Sequence, residues 1–210
     1  MIIKKSIYPK TKRYASGSAS VTITEKLDGS NVAIFKLNGV VVVAQRNNIM
    51  TLDEDAIKNY KGMPKWFEDN INILDLRDGS CICGEWMGMG QLKYPRLDKK
   101  IYMFAKANVN QDLELTNVIY NHEHFIYPFE SGVIPDCIGV VPVVCKMDHY
   151  PTIENLNDLY SEYSSTIACN VEGFVIEQQN TIRKYLRMKN GKHEQHKEQV
   201  EFRNRMVKKK

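Results

Sequence analysis

The chain has 210 residues, of which 43% are hydrophobic and 26% are charged, and its formal net charge is +4. This composition supports a packed core and argues against intrinsic disorder. No apolar run reaches the roughly 18 residues of a membrane-spanning helix, and the N-terminus lacks the apolar core of a signal peptide. The five cysteines are an odd number, so reduced thiols of a cytoplasmic protein are favoured over a disulfide framework.

Positive charge is concentrated towards the C-terminal end of the chain. Residues 183–210 contain eleven Lys or Arg and three Glu, whereas the rest contains eighteen Lys or Arg and twenty-two Asp or Glu. A basic tail on an acidic body suggests a polyanionic partner. A charged terminal helix that only keeps the protein soluble explains this composition equally well.

The first predicted element is a β-hairpin. Apolar, β-branched runs at 32–37 and 40–46 flank an Asn-Gly dipeptide at 38–39, which is typical of two-residue hairpin turns. Lys26 therefore precedes the first strand of the hairpin, and Arg46 ends the second.

Helices and strands then alternate along the chain. The remaining predicted elements are a helix from 51 or 53 to about 60, a helix from 64 to about 76, strands at 81–86, 100–107 and 138–146, a helix at 151–163, a hairpin of 173–178 with 181–188, and a basic helix from 193. The segment 111–125 fits a helix and a strand equally. Pro142 places its strand at an edge or a bend, because proline cannot donate to the ladder. We therefore expect an antiparallel-rich α+β domain with helices packed outside.

Charged residues interrupt or end these apolar strands at six positions: Lys26, Arg46, Glu85, Glu172, Arg187 and Lys189. Burying such side chains is costly unless they are paired or used in chemistry. Each has an ordinary explanation by itself, since Glu before Gly is usually a turn residue and Arg-x-Lys is usually a solvated strand face. A lysine becomes a nucleophile where its surroundings favour the neutral amine, and Lys26 stands just before a turn-forming Asp-Gly. The ordered series indicates a site more strongly than any one member.

These segments, taken in order, resemble the motifs of covalent nucleotidyltransferases, the superfamily of ATP-dependent polynucleotide ligases and mRNA capping enzymes. The segment EKLDGSN at 25–31 is similar to the nucleophile motif of the RNA-ligase branch, which is typical of bacteriophage RNA ligases. The later matches are an arginine at 46, GEWMG at 84–88 for the third motif, IYMFA at 101–105 for the aromatic strand after it, EGFVI at 172–176 for the fourth motif and RMKN at 187–190 for the fifth.

The resemblance implies a fold and a domain organisation. We expect an α+β nucleotidyltransferase domain at 1–192, of the ATP-grasp-like ligase adenylation type, followed by a basic helix or tail at 193–210 and no OB-fold domain. In the fifth motif, Arg187 replaces the first of two usual lysines. Arginine suits a phosphate contact but not proton transfer at neutral pH.

The resemblance also implies a catalytic set. The neutral amine of Lys26 would attack the α-phosphorus of ATP, forming a lysyl-adenylate and releasing pyrophosphate. Arg46, Arg187 and Lys189 would disfavour the protonated amine and neutralise the phosphate, with Lys189 the best candidate to hold the α-phosphate.

The other site residues receive their roles from the same resemblance. They are Glu172 for placing Mg²⁺ or Mn²⁺, Glu85 for the ribose hydroxyls, Arg46 for phosphate or ribose, Glu25 for adenine, Asn31 for phosphate, and Asp28 and Gly29 to complete the nucleotide-binding set. For stacking on adenine, Tyr102 is the first choice and Phe104 the second, because both lie on one face of their strand.

We therefore expect an ATP-dependent ligase that joins 5′-phosphate to 3′-hydroxyl ends in nucleic acid repair, with RNA favoured over DNA as substrate. Asn31 favours the RNA branch, because DNA ligases more often carry arginine at that place. The alternatives are a compact ATP-dependent DNA ligase and a catalytically inactive protein of the same fold that binds nucleic-acid ends. We expect a monomer without a membrane partner, in the cytoplasm, or in the host cytoplasm for a viral protein.

Overall fold

We describe the fold from a computed structural model. It describes residues 12–13, 20–45, 48–50, 60–88, 90, 92–120, 122–178, 181–186, 188–189 and 192–193, with the backbone alone at 12–13, 188–189 and 192–193. The strands are β1 Lys12–Arg13, β2 Val21–Glu25, β3 Ser30–Leu37, β4 Val40–Ala44, β5 Ser80–Trp86, β6 Ile101–Val109, β7 Leu115–Ile119, β8 Ile138–Val140, β9 Val143–Met147, β10 Phe174–Gln178, β11 Thr181–Tyr185, β12 Met188–Lys189 and β13 Lys192–His193. The helices are α1 Met63–Asn70 and α2 Ile153–Glu162, with 3₁₀ turns at Ile71–Ile73 and His122–His124.

Two antiparallel-rich sheets dominate the fold. The larger sheet has the order β4-β3-β5-β6-β7, with β8 added parallel to β6. The smaller sheet has the order β1-β11-β10-β2-β9, and β12 and β13 pair separately. The expected α+β class, rich in antiparallel strands, is confirmed.

The larger sheet is buried on both faces. Val32 and Ile34 of β3 pack with Trp66 of α1 on one face, and Ala33 and Phe35 pack on the other. This alternation follows from the two-residue period of a strand. The second face meets the smaller sheet, since Ile182 of β11 packs against it.

The smaller sheet places α2 on its outer side. Ile23 of β2 and the pair Phe174 and Ile176 of β10 form a buried cluster with Leu156 of α2. The layers therefore run from α1 through the larger sheet and the smaller sheet to α2. Any polar side chain on the inner face of β2, β10 or β11 points towards the space between the sheets.

Several predicted elements are confirmed. The first hairpin is β3 with β4, and both residues of its turn, Asn38 and Gly39, have the positive φ angles (52° and 77°) of the turn type that Asn-Gly favours. The strands β5 and β6, the helix α2 and the hairpin of β10 with β11 lie where the sequence places them, within a few residues. All five cysteines are free thiols.

The predicted strand at 138–146 is wrong as a single element. It divides into β8, in the larger sheet, and β9, in the smaller one. Pro142 lies between them, and its carbonyl oxygen accepts a hydrogen bond from the backbone N–H of Glu25. Because proline has no N–H to donate, the chain leaves one ladder there and joins the other.

Other boundaries also differ from the predictions. The helix expected to reach 76 ends at Asn70, and Leu76 instead pairs with Phe129. The ambiguous segment 111–125 contains both β7 and a 3₁₀ turn. The predicted helix at 51–60 lies outside the described residues except at its last position. The predicted basic helix at 193–210 does so except for His193, which is in β13 rather than in a helix, because it pairs with Met188 of β12.

Gly173 lies where β2 and β10 meet. Its carbonyl oxygen accepts a hydrogen bond of 2.9 Å from the backbone N–H of Lys26. A Cβ atom added at this position would lie 2.1 Å from the carbonyl oxygen of Tyr185. Only glycine therefore permits the close approach of β11 to the strand junction that fixes Lys26.

We expect Gly173→Ala to lower the free energy of unfolding by about 3 kcal/mol, because the added methyl group forces β11 away. Urea unfolding followed by circular dichroism measures this loss. Gly132→Ala is the matched control: its φ is +69° but nothing lies within 4 Å of an added Cβ, so only backbone strain of about 1 kcal/mol is expected. Equal losses in the two variants would contradict the steric explanation.

Candidate active site

A cavity of about 160 Å³ lies between the two sheets. Residues of β2, β10 and β11 line one side of it, and residues of β3, β5 and β6 line the other. Its charged lining residues are Glu25, Lys26, Glu85, Glu177 and Lys184. The layered fold thus places polar groups from both sheets around one partly open cavity.

Lys26 follows β2 directly, and its side chain lines the cavity. Its Nζ contacts Oε2 of Glu172 as a hydrogen-bonded ion pair. The two side chains are only 21% and 20% exposed, so solvent screens their attraction less than it would a surface pair. The structure therefore brings together two residues that the sequence predicted as catalytic from opposite ends of the chain.

Glu25 is buried, with 1% of its surface exposed. Its carboxylate accepts hydrogen bonds of 3.1 Å from the hydroxyls of Tyr163 and Ser165. Burial raises the pKa of Glu25, and these two hydroxyls oppose the rise because they stabilise the ionised form. Neither hydroxyl was predicted as part of the site, since both come from the irregular segment after α2.

Asp28 and Gly29 shape the loop after Lys26. The Asp28 carboxylate accepts a 2.8 Å hydrogen bond from the backbone N–H of Leu92, and the Asp28 N–H donates to the hydroxyl of Tyr94 at 2.7 Å. A Cβ on Gly29 would lie 2.7 Å from the carbonyl oxygen of Trp86. Neither is among the residues that line the cavity, so their predicted contact with a nucleotide stays a prediction.

Asn31 and Glu85 are direct neighbours across β3 and β5. Side chains of directly opposed residues in an antiparallel pair point to the same face. Both side chains line the cavity. Their placement agrees with the predicted roles as phosphate and ribose contacts, which no bound molecule tests.

The stacking role predicted for Tyr102 or Phe104 stays a prediction, but the two side chains have different surroundings. Phe104 lines the cavity, whereas Tyr102 does not. The hydroxyl of Tyr102 donates a 2.6 Å hydrogen bond to Asp98, and its ring lies against Gly139, where an added Cβ would be 2.8 Å from ring carbons. Phe104 is therefore the candidate for contact with a base, although both residues share one face of β6.

The predicted cationic residues are the least defined part of the site. Arg46 and Arg187 lie outside the described residues. Lys189 is in β12, opposite Lys192 of β13, and only its backbone is described. Their predicted phosphate contacts therefore stay predictions.

The predicted metal role of Glu172 also stays a prediction. Across the described part of the chain there is no group of three or more His, Cys, Asp or Glu that would hold a metal ion. A site formed by protein ligands alone is therefore not seen among those residues.

Sequence reasoning missed Glu177 and Lys184. Glu177 lies in β10 and is 6% exposed, and Oε1 accepts a hydrogen bond of 3.4 Å from the Thr24 hydroxyl. Burial raises the pKa of Glu177 to about 8. Lys184 lies opposite Val175 in the β10–β11 ladder. The two-residue period of the strands predicted at 173–178 and 181–188 places Glu177 and Lys184 on one face of the hairpin. The sequence does not show that another sheet covers that face.

Comparison with known proteins identifies the family. The model of the RNA ligase family matches residues 19–193. The chain belongs to the RNA ligase family. No match is found among the curated proteins, and within the described residues no helix of the ligase-family chain is long and apolar enough to cross a membrane.

Solved structures of a Naegleria gruberi RNA ligase share the fold of this RNA ligase family member. One mutant with AMP and Mn gives a TM-score of 0.53 at 13% identity, covering 88% of this chain and 57% of that one. Two mutants with ATP and Mn give TM-scores of 0.52 and 0.51 at 14% and 13% identity, covering 88% and 87% of this chain. The chain spans 57% of the length of each of these chains.

We expect Glu177→Gln to change how the stability of this RNA ligase family member depends on pH. The pKa of Glu177 rises from its ordinary 4.5 to about 8 on folding. Its contribution to stability is therefore complete below pH 4.5 and is lost as the pH rises through about 8. Glutamine has no proton to lose, so from about pH 5.5 to about pH 9 the wild type should lose about 3 kcal/mol relative to the variant. Urea unfolding at both pH values measures this, and parallel pH profiles would refute it.

Proposed function

We propose that the protein is an ATP-dependent RNA ligase that joins 5′-phosphate and 3′-hydroxyl ends through a lysyl-AMP intermediate. The contact of Lys26 with Glu172 at a cavity shared with Glu85 carries the proposal. Membership of the RNA ligase family supports it. Structures of the Naegleria gruberi RNA ligase with ATP or AMP and Mn support ATP and a divalent cation.

The lining of the cavity suits a nucleotide. Phe104, Val141 and Val175 supply apolar surface against which a flat base can pack. Asn31 and Glu85 supply hydrogen-bonding groups on the same lining. Such a mixture of apolar walls and a few polar groups is typical of small-molecule sites.

Lys26 is the proposed nucleophile. In the first step its neutral amine attacks the α-phosphorus of ATP, a nitrogen–phosphorus bond forms, and the bond to the pyrophosphate oxygen breaks. The amine must first lose a proton. Glu172 accepts the hydrogen bond of Nζ and is thus placed to orient the amine and to receive that proton.

Within the described residues the protein offers one candidate ligand for a divalent cation at this site, and the other ligands would come from the substrate and from water. Mg²⁺ is commonly bound by one or two carboxylates together with substrate phosphates, which agrees with a single candidate carboxylate at Glu172. When bound, the cation would neutralise charge on the phosphates. We propose that Arg46, Arg187 and Lys189 share that task, on the strength of their places in the motifs.

The remaining steps transfer AMP and seal the ends. The 5′-phosphate of a nucleic acid takes AMP from Lys26, and the 3′-hydroxyl of the other end then attacks that phosphate and releases AMP. Membership of the RNA ligase family and the asparagine at position 31, where DNA ligases more often carry arginine, support RNA. RNA is therefore the proposed substrate.

We expect Lys26→Ala to abolish covalent labelling of the protein by α-labelled ATP, because the variant lacks the amine proposed to form the nitrogen–phosphorus bond. Labelled protein on a denaturing gel, in the presence of Mg²⁺, measures this. Lys65→Ala is the matched control: Lys65 pairs with Asp69 on the exposed side of α1 and should leave labelling unchanged. Label that survives in Lys26→Ala would refute the nucleophile.

The second test concerns the substrate. Nicked duplexes and single strands, each as RNA and as DNA with 5′-phosphates, are offered to the purified protein at equal concentration. We expect at least about tenfold more joined product with RNA, which corresponds to about 1.4 kcal/mol of discrimination. More product with nicked DNA would favour the DNA-ligase alternative, and tight binding of ends without labelling of Lys26 would favour the inactive binding protein.

A further inference from the structure

Glu177 is a buried acid that the proposed chemistry does not use. It lies in the middle of the smaller sheet, opposite Thr22 of β2 and Ile182 of β11. Its side chain lines the same cavity as Phe104. A buried carboxyl group normally requires compensation by hydrogen bonds or an opposite charge. Its place in a ligand cavity suggests that the ligand supplies part of that compensation.

Glu177 differs from the other buried acid of the cavity. Glu25 already accepts hydrogen bonds from the hydroxyls of Tyr163 and Ser165. Glu177 has a bond from Thr24 to one of its oxygens, at 3.4 Å. Glu25 is therefore fixed by the protein, whereas Glu177 has hydrogen-bonding capacity to offer to a ligand.

We propose that Glu177 contacts the edge of the nucleobase as a neutral carboxylic acid, accepting from the exocyclic amine of adenine and donating to an adjacent ring nitrogen. This inference rests on the proposed nucleotide site. It names Glu177 as a residue whose ionisation lowers the preference for ATP over GTP.

The hydrogen-bonding groups of the two purines explain why ionisation of Glu177 changes the relative affinity for adenine and guanine nucleotides. Adenine presents an amino donor next to a ring-nitrogen acceptor, and a neutral carboxylic acid presents one acceptor and one donor. Guanine presents on its base-pairing edge the O6 acceptor as well as two adjacent donors, the ring N–H and the amino group, so a neutral acid can pair with either purine. An ionised carboxylate only accepts, so ionisation favours guanine and removes one of the two hydrogen bonds to adenine.

The surroundings of Glu177 favour the neutral acid. Burial is the main cause that raises its pKa to about 8, and the hydrogen bond from Thr24 opposes the rise. The groups that face the cavity with it are Thr24 and Glu25 from β2, Lys184 from β11, Lys26 from the following loop, and Asn31, Glu85 and Tyr120 from the larger sheet and its edge. These groups include two cations and two other acids. Burial is nevertheless the main cause of the raised pKa of Glu177.

Binding of AMP and GMP tests the inference without catalysis. AMP has no pyrophosphate to release, so no covalent adduct forms and affinity is measured directly by calorimetry. From about pH 6.5 to about pH 9 we expect the ratio of AMP affinity to GMP affinity of the wild type to fall about tenfold, as expected for the loss of one hydrogen bond to adenine. The ratio of the two affinities cancels effects on the phosphate that both nucleotides share.

Two variants of Glu177 and one control sharpen the test. Glu177→Gln keeps one acceptor and one donor at every pH, so its preference for AMP should be the same at both pH values. Glu177→Leu should lose about tenfold in AMP affinity at low pH and show no change of preference with pH. Glu68→Gln, on the exposed side of α1, should behave as the wild type. Thermal unfolding by circular dichroism confirms that each variant is folded.

The outcomes separate this inference from the proposed function. A wild-type preference that does not change with pH, or a Glu177→Leu variant whose preference changes with pH as much as that of the wild type, overturns the inference. Failure to bind either nucleotide also overturns it. If AMP binding depends on Glu177 while ATP never labels Lys26, the inference stands and the ligase mechanism fails. If Lys26 is labelled but the preference is independent of Glu177, only the inference fails.

Discussion

The ion pair between Lys26 and Glu172 is the constraint on which the site depends. Lys26 directly follows β2 and Glu172 precedes β10 by two residues, and Glu25 lies directly opposite Phe174 in the ladder between the two strands. A shift of one residue in that register would turn Lys26 away from Glu172, because side chains alternate between the faces of a strand. Removing Glu172 would take from the half-buried charge of Lys26 the carboxylate that its Nζ contacts, which is costly. Strand register therefore determines where the nucleophile stands.

Local sequence patterns predicted the elements well and the connections between them less well. An Asn-Gly pair identifies the β3–β4 hairpin, because few dipeptides adopt the required positive φ angles. An apolar run, in contrast, carries no information about its partner strand. For that reason the segment 138–146 was predicted as one strand, although Pro142 divides it between two sheets. The transfer matters for the site, since the carbonyl of Pro142 binds the backbone of Glu25 beside the nucleophile.

The site residues show the same division between local pattern and tertiary contact. The motifs predicted Lys26, Glu85 and Glu172 from residue type and order, and the structure places them around or beside one cavity. The sequence could not decide between Tyr102 and Phe104, because the two-residue period of a strand predicts both on one face. Only contacts from distant segments, such as Gly139 against the ring of Tyr102, distinguish the residue in the core from the residue in the cavity.

Glu177 shows why a buried acid in a strand is informative about function. In a hairpin with one solvated face its polar position would be ordinary, and alternation alone would predict exposure. Here the larger sheet covers that face, and Glu177 is 6% exposed. Burying its carboxyl group is unfavourable to folding. Burial of Glu25 is unfavourable in the same way, but hydrogen bonds from two hydroxyl groups offset part of the loss of hydration. Two acids in one cavity with such different surroundings are suited to different tasks, one held in place by the protein and the other left to meet the ligand.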